Sequence, residues 1–180
     1  MATSPGTFIC PTCGQSHSGL PTDSAFQLPD VVWAMPPDER AVRAKWTSDL
    51  CQLGESYFIR CFLEIPFTDQ PGHYGWGVWA QVEWPVFKKY LDLYSKDGTN
   101  EPMVSGALAN EIPTYGPTLG VAVRLQFRNE TSRPTIHFDA GNTHPLALEA
   151  KDGMSYARFH EILVARGLAN LSEAEIRDGG

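Results

Sequence analysis

No stretch of this chain stays apolar for the roughly 20 residues that crossing a bilayer requires. Basic runs are equally scarce. None exceeds the pair Lys88–Lys89, and the formal net charge is -7. Nucleic-acid binders draw most of their affinity from phosphate neutralisation, so this balance argues against nucleic acid as a partner. The phosphate loop G-x-x-x-x-G-K-[ST], the dinucleotide turn G-x-G-x-x-G and the nucleophile elbow G-x-S-x-G are all missing. The segment "FHEIL" starts like a zinc-protease helix at His160, but the second histidine it would need is Val164. The opening "MATSPGTFIC" has neither a basic start nor an apolar segment, so no secretory signal is expected and a cytoplasmic location is. There, four cysteines are expected to be reduced or metal-bound rather than bridged.

What is present reads as a globular domain. Of 180 residues, 42% are hydrophobic and 19% charged, enough apolar matter for a core. Five tryptophans, 14 prolines and 16 glycines suit a sheet-rich fold with tight turns. The strands "YFIRCFLEIPF" and "GWGVWAQVEW" alternate with period two and predict an antiparallel hairpin. "TLGVAVRLQF" and "RPTIHFD" predict two more strands. Helices are expected in "PPDERAVRAKW", docked by Val42 and Trp46; in "PVFKKYLDLYS", with Phe87, Leu91 and Tyr94 inward; and in "SYARFHEILVARGL", behind Ser155 with Phe159, Ile162 and Leu163 inward. Ser172 and Glu175 could cap one last turn.

The expected fold is α+β, a twisted antiparallel sheet of about four or five strands with helices on one face and an N-terminal zinc knuckle. Residues 1–180 read as a single domain. Within it, 8–20 form the knuckle, 50–140 the sheet core with an inserted helix, and 153–178 a C-terminal helical segment.

The zinc expectation rests on "FICPTCGQSHSGLP". A C-x-x-C turn brings two thiolates close enough to share one tetrahedral zinc ion at about 2.3 Å per bond. Pro11 stiffens the turn, and Gly14 permits the positive φ that folds the chain back. The competing readings are two unliganded thiols in a turn and redox cycling, the latter disfavoured because no amphipathic helix begins behind Cys10 to lower its pKa. Two more ligands are needed. His17 is near in sequence and Cys51 precedes the first long strand, so Cys10, Cys13, His17 and Cys51 are the expected set, with another histidine or water as alternatives for the fourth place. Cys61, amid Phe58, Ile59, Phe62 and Leu63, reads as a small core hydrophobe.

"PTIHFDAGNTHPLALE" holds His137, Asp139, His144 and Glu149 close in sequence. Such a set could be catalytic or bind a second metal. The plainer reading is a strand edge and a turn, with Pro145 enforcing extended geometry at His144. Arg60 shares a strand face with Glu64 and suits either an ion pair or an anion.

Taken together, "CPTCGQSHSGLP", "AFQLPD", "SDLC", "YFIRCFLEIP", "WGVWAQV" and "HPLALEAKDG" make the chain resemble the bacterial family called domain of unknown function 2199. The resemblance implies the zinc knuckle, places Cys51 with its ligands, and draws attention to Asp30, Arg60, Trp76, Trp79, His144 and Pro145. The family carries no assigned activity. The functional expectation is a zinc-binding, non-catalytic binding, adaptor or immunity-like protein with a protein or small-molecule partner. The alternative is a small-molecule enzyme, zinc-dependent or not, with a cleft lined by Arg60, Trp76, His137 and His144.

Overall fold

The computed structural model describes residues 7–9, 16–18, 23–69 and 71–166. Among the described residues the first elements are β1 (Thr7–Ile9) and β2 (Ser16–Ser18), then β3 (Asp23–Ala25), α1 (Asp30–Trp33) and α2 (Pro37–Arg43). Next come β4 (Ala44–Trp46), β5 (Leu50–Leu53), β6 (Ser56–Pro66), β7 (His73–Val82) and α3 (Trp84–Leu93). The last part holds β8 (Val104–Leu108), β9 (Ala122–Gln126), β10 (Thr135–His137), α4 (Pro145–Asp152) and α5 (Tyr156–Ala165).

The spine is the hairpin of β6 and β7, paired from Tyr57↔Val82 to Pro66↔His73. Its two-residue period sorts side chains between two faces. Ile59, Cys61, Leu63 and Ile65 meet Tyr74, Trp76, Val78 and Ala80 in the main hydrophobic cluster. Phe58 and Trp79 point the other way, into a smaller cluster with Leu28, Val32, Ala44, Cys51 and Ala109.

The sheet is not the wholly antiparallel one of about four or five strands expected from the sequence. It has eight strands in the order β3-β7-β8-β9-β10-β6-β5-β4, and the added β6–β7 pairing closes the middle five into a barrel. Two pairings are parallel, β3 with β7 and β10 with β6. The physical reason is the length of the spine. The second edge of β6 takes β5 along residues 56–59 and β10 at Phe62. The second edge of β7 takes β3 at residues 75–77 and β8 at 80–81. Close approach there depends on small residues: a Cβ on Gly77 would lie 2.9 Å from Ala25 Cβ.

The helices meet expectation unevenly. In α5, Phe159, Ile162 and Leu163 are buried, and Ser155 Oγ accepts the Arg158 N–H, as the pattern predicts. In α3 the inward pair is Phe87 and Tyr90, while Leu91 and Tyr94 are exposed. Proline starts α2, but the helix stops at Arg43. Val42 is 86% exposed, and Trp46, the other expected anchor, belongs to β4 and is exposed as well. Ser172 and Glu175 lie outside the described residues. Among the described residues no helix is long and apolar enough to cross a membrane.

Candidate functional site

Helix α4 organises the residues that the sequence singles out. Pro145 occupies its first turn, and His144 is the N-cap, with φ -60° and ψ 139°. The extended geometry expected before proline is therefore present, but it opens a helix rather than a turn. His144 Nδ1 accepts the Leu146 N–H at 3.1 Å, so the neutral ring carries its proton on Nε2, which donates to the Pro117 carbonyl at 2.7 Å. Both ring nitrogens are committed to backbone groups. The imidazole ties α4 to the 109–121 segment.

That segment is anchored from several sides. Asn110, fully buried, accepts the Trp79 N–H and donates to the Leu28 carbonyl and to Asp30 Oδ1. Asp30 Oδ2 accepts the Glu111 N–H. Asp30 is thus a structural clamp between α1 and the end of β8. Further along, Tyr115 lies beside Trp76 and Glu149. Burial, and then the Glu149 carboxylate, push the Tyr115 phenol well above its ordinary range, so it stays protonated. Arg158 closes the group, donating through Nε to Glu149 at 3.0 Å with its guanidinium 5.1 Å from the Tyr115 ring centre.

On the other side of α4 a cleft of about 770 Å³ opens. It lies where β6 and β10 part beyond their single registered pair, Thr135↔Phe62. Leu63, Ile136, Phe138, Ala147 and Leu148 give it an apolar floor. His73, His137, Glu64, Asp139, Arg128 and Lys151 bring polar groups to it. Arg128 and Thr135 are shared with a second cleft of about 570 Å³, which holds Asp49, Tyr94 and Arg133. The Asp49 carboxylate there is already engaged by Arg133 at 2.6 Å, Tyr94 at 2.7 Å and Ser48 at 2.9 Å. Burial alone would raise its pKa, but these hydrogen bonds outweigh it and hold the carboxyl below its usual value.

The four residues expected to share a cleft are placed apart. Trp76 is fully buried inside the barrel. Arg60 lies on the opposite face of the hairpin, over the Trp79 ring at 5.8 Å, with one long hydrogen bond to the Ser48 carbonyl at 3.3 Å. It makes no ion pair with Glu64, whose partner is His73 at 3.7 Å. Of the four, His137 alone lines the 770 Å³ cleft, where its Nε2 lies 2.9 Å from Thr135 Oγ1. Asp139 is paired with Arg124 and Glu149 with Arg158, so the "PTIHFDAGNTHPLALE" set does not converge. Lys151 and Arg128, which the sequence reading passed over, do reach the cleft. Isolated exposed cations leave no sequence signal, and only the fold shows where they gather.

The zinc set divides differently. Cys10 and Cys13 lie outside the described residues. His17 enters as backbone in β2, registered opposite Phe8. Cys51 is buried in the smaller apolar cluster, which pushes its thiol up to about 11. Cys61, deep in the barrel, is pushed further still. Among the described residues no three of His, Cys, Asp or Glu come together as a metal site. Among the described residues Cys51 therefore belongs to no metal centre.

No curated protein and no solved structure matches the chain. The family described as uncharacterized protein conserved in bacteria, DUF2199, matches residues 9–154, most of the sequence, including the C-x-x-C segment, the spine hairpin, both clefts' strands and α4. The chain belongs to that bacterial family.

Proposed function

We propose that this chain is a non-catalytic binding protein, stabilised by a zinc knuckle, whose ligand occupies the cleft among β6, β10 and α4. The observation that carries the reading is the cleft itself. It is of ordinary small-ligand size, about 770 Å³, and joins an apolar floor to a few polar side chains. The barrel interior beside it is filled with side chains. The commitment of both His144 nitrogens to backbone groups supports binding over acid–base chemistry. The separation of Arg60 from Trp76 across the hairpin supports it too.

The test is a fragment screen followed by protein NMR. Shift changes are expected to cluster at Leu63, Phe138 and Leu148. Leu148 is 43% exposed, so Leu148→Glu should shift unfolding free energy by no more than about 1 kcal/mol while abolishing binding. Fragments that map elsewhere, or that bind the variant equally well, would remove the cleft from the proposal.

For the knuckle, the flanking strands β1 and β2 pair antiparallel up to Ile9↔Ser16, a hairpin frame from which a C-x-x-C turn can hold metal with His17. Cys51, less deeply desolvated than Cys61, supports the choice of Cys51 as the remaining thiolate. Elemental analysis of protein purified without chelator should find about one zinc per chain. Cys51→Ala should lower that content. Cys61→Ala should keep it and cost roughly 1 kcal/mol for a small cavity. Folded protein free of metal would end the zinc proposal, and the reverse cysteine pattern would exchange the two roles.

A further inference from the structure

The charges around the cleft are not balanced in the way the whole chain is. Of its two carboxylates, Asp139 is bonded to Arg124 at 3.1 Å, while Glu64 lies 3.7 Å from His73, which answers its charge only when that ring is protonated. Its two cations have no such neighbour. Lys151, near the end of α4, and Arg128, just past β9, are exposed, and among the described residues neither has an ion-pair partner. Two unpaired cations against the one carboxylate of Glu64 leave this opening net positive, in a chain whose formal net charge is -7. Beneath it lie the buried side chains of Leu63 and Ile136, with Phe138 and Leu148 completing an apolar surface.

From this juxtaposition of an apolar floor with two unpaired cations, and resting on the binding reading above, we propose that the ligand is an amphipathic small molecule with an apolar body and a single carboxylate. The body would cover the floor and the carboxylate would meet Lys151 and Arg128. A neutral molecule would leave that charge unanswered, and a cation would add to it. Because both side chains are exposed, the charge contributes selectivity more than affinity, and that contribution should weaken with salt.

Decanoate, decanol and decyltrimethylammonium serve as probes, titrated below their micellar concentrations into the full chain and followed by protein NMR at pH 7.5. Decanoate should bind about fivefold more tightly than decanol, the size of one exposed ion pair. The ammonium probe should bind more weakly than either. In the double variant Lys151→Ala/Arg128→Ala the decanoate advantage should vanish while decanol affinity holds and the thermal midpoint is unchanged. Equal affinity for decanoate and decanol in the unaltered protein, or a preference that survives in the double variant, overturns the carboxylate inference and leaves an apolar cleft. If none of the three probes binds and no fragment perturbs the cleft, the binding reading fails with it.

Discussion

Replacing Asn110 with alanine is expected to lower the unfolding free energy by about 4 kcal/mol, measured by urea denaturation. The side chain stands at the end of the β7–β8 ladder and continues it. Leu108 pairs with Ala80, the Ala109 N–H donates to the Trp79 carbonyl, and Asn110 Oδ1 then takes the Trp79 N–H at 2.8 Å. Alanine leaves that fully buried amide with no acceptor, a penalty of about 1–3 kcal/mol. It also strips a donor from the Leu28 carbonyl and from Asp30, loosening α1 from the sheet. Asn110→Asp should be no better despite its matching shape. It keeps the acceptor but turns a carboxylate toward Asp30 and the Leu28 carbonyl. A loss below about 1 kcal/mol for the alanine variant would mean that these three hydrogen bonds are not made together in solution.

Neither Asn110 nor the closed barrel stands out in the sequence, and the reasons are physical. The β6–β7 hairpin was legible because one face of each strand is barrel interior, so its period of two is written in Phe58, Arg60 and Phe62 against Ile59, Cys61 and Leu63. Closure was not, because it depends on the parallel pairing of Thr135 with Phe62, far apart in the chain and marked by no local pattern. β8 was hidden for another reason. Gly106 lies inside it, and a Cβ there would come within 2.9 Å of Leu125 Cδ1 and 3.1 Å of the Gln81 carbonyl. The tight packing that demands glycine is the same thing that makes the strand look like a connection. The α4 helix was missed by reading half of a signal. Proline restrains the residue before it, but proline in a first helical turn also announces a helix.

The candidate site was legible to a smaller degree. His137 and the "HPLALE" segment pointed to the right region, since His137, Leu148 and Lys151 all face the cleft. His144 drew attention for its chemistry but serves as an N-cap and a tether. Its neighbours Asp139 and Glu149 are close in sequence yet turned to different arginines, because α4 directs Glu149 toward α5 while Asp139 follows β10. Sequence proximity within 13 residues did not become spatial convergence once a helix began between them.

Arg158→Ala should be the other severely destabilising change, at about 3 kcal/mol. The guanidinium joins three parts of the fold. It donates to Glu149 on α4 at 3.0 Å, to Glu161 on its own helix at 3.1 Å, and to both the carbonyl and the hydroxyl of Thr114 at 3.2 and 3.1 Å. Thr114 has a φ of 75°, costly for a β-branched residue, and the two bonds from Arg158 help hold it there. The large term is Glu149. Its side chain is 15% exposed, so removing its cation leaves a carboxylate poorly solvated and uncompensated beside Tyr115. Glu161 is 66% exposed, and Glu161→Ala should cost less than about 0.5 kcal/mol, as exposed helix pairs do. The double variant Arg158→Ala/Glu149→Gln separates the causes. If the stranded charge dominates, glutamine should recover about half of the loss, because a neutral amide is cheaper to bury. If the double variant is as unstable as Arg158→Ala alone, the cost lies in releasing the Thr114 turn, and the ion pair is incidental to how α4 and α5 are held against the barrel.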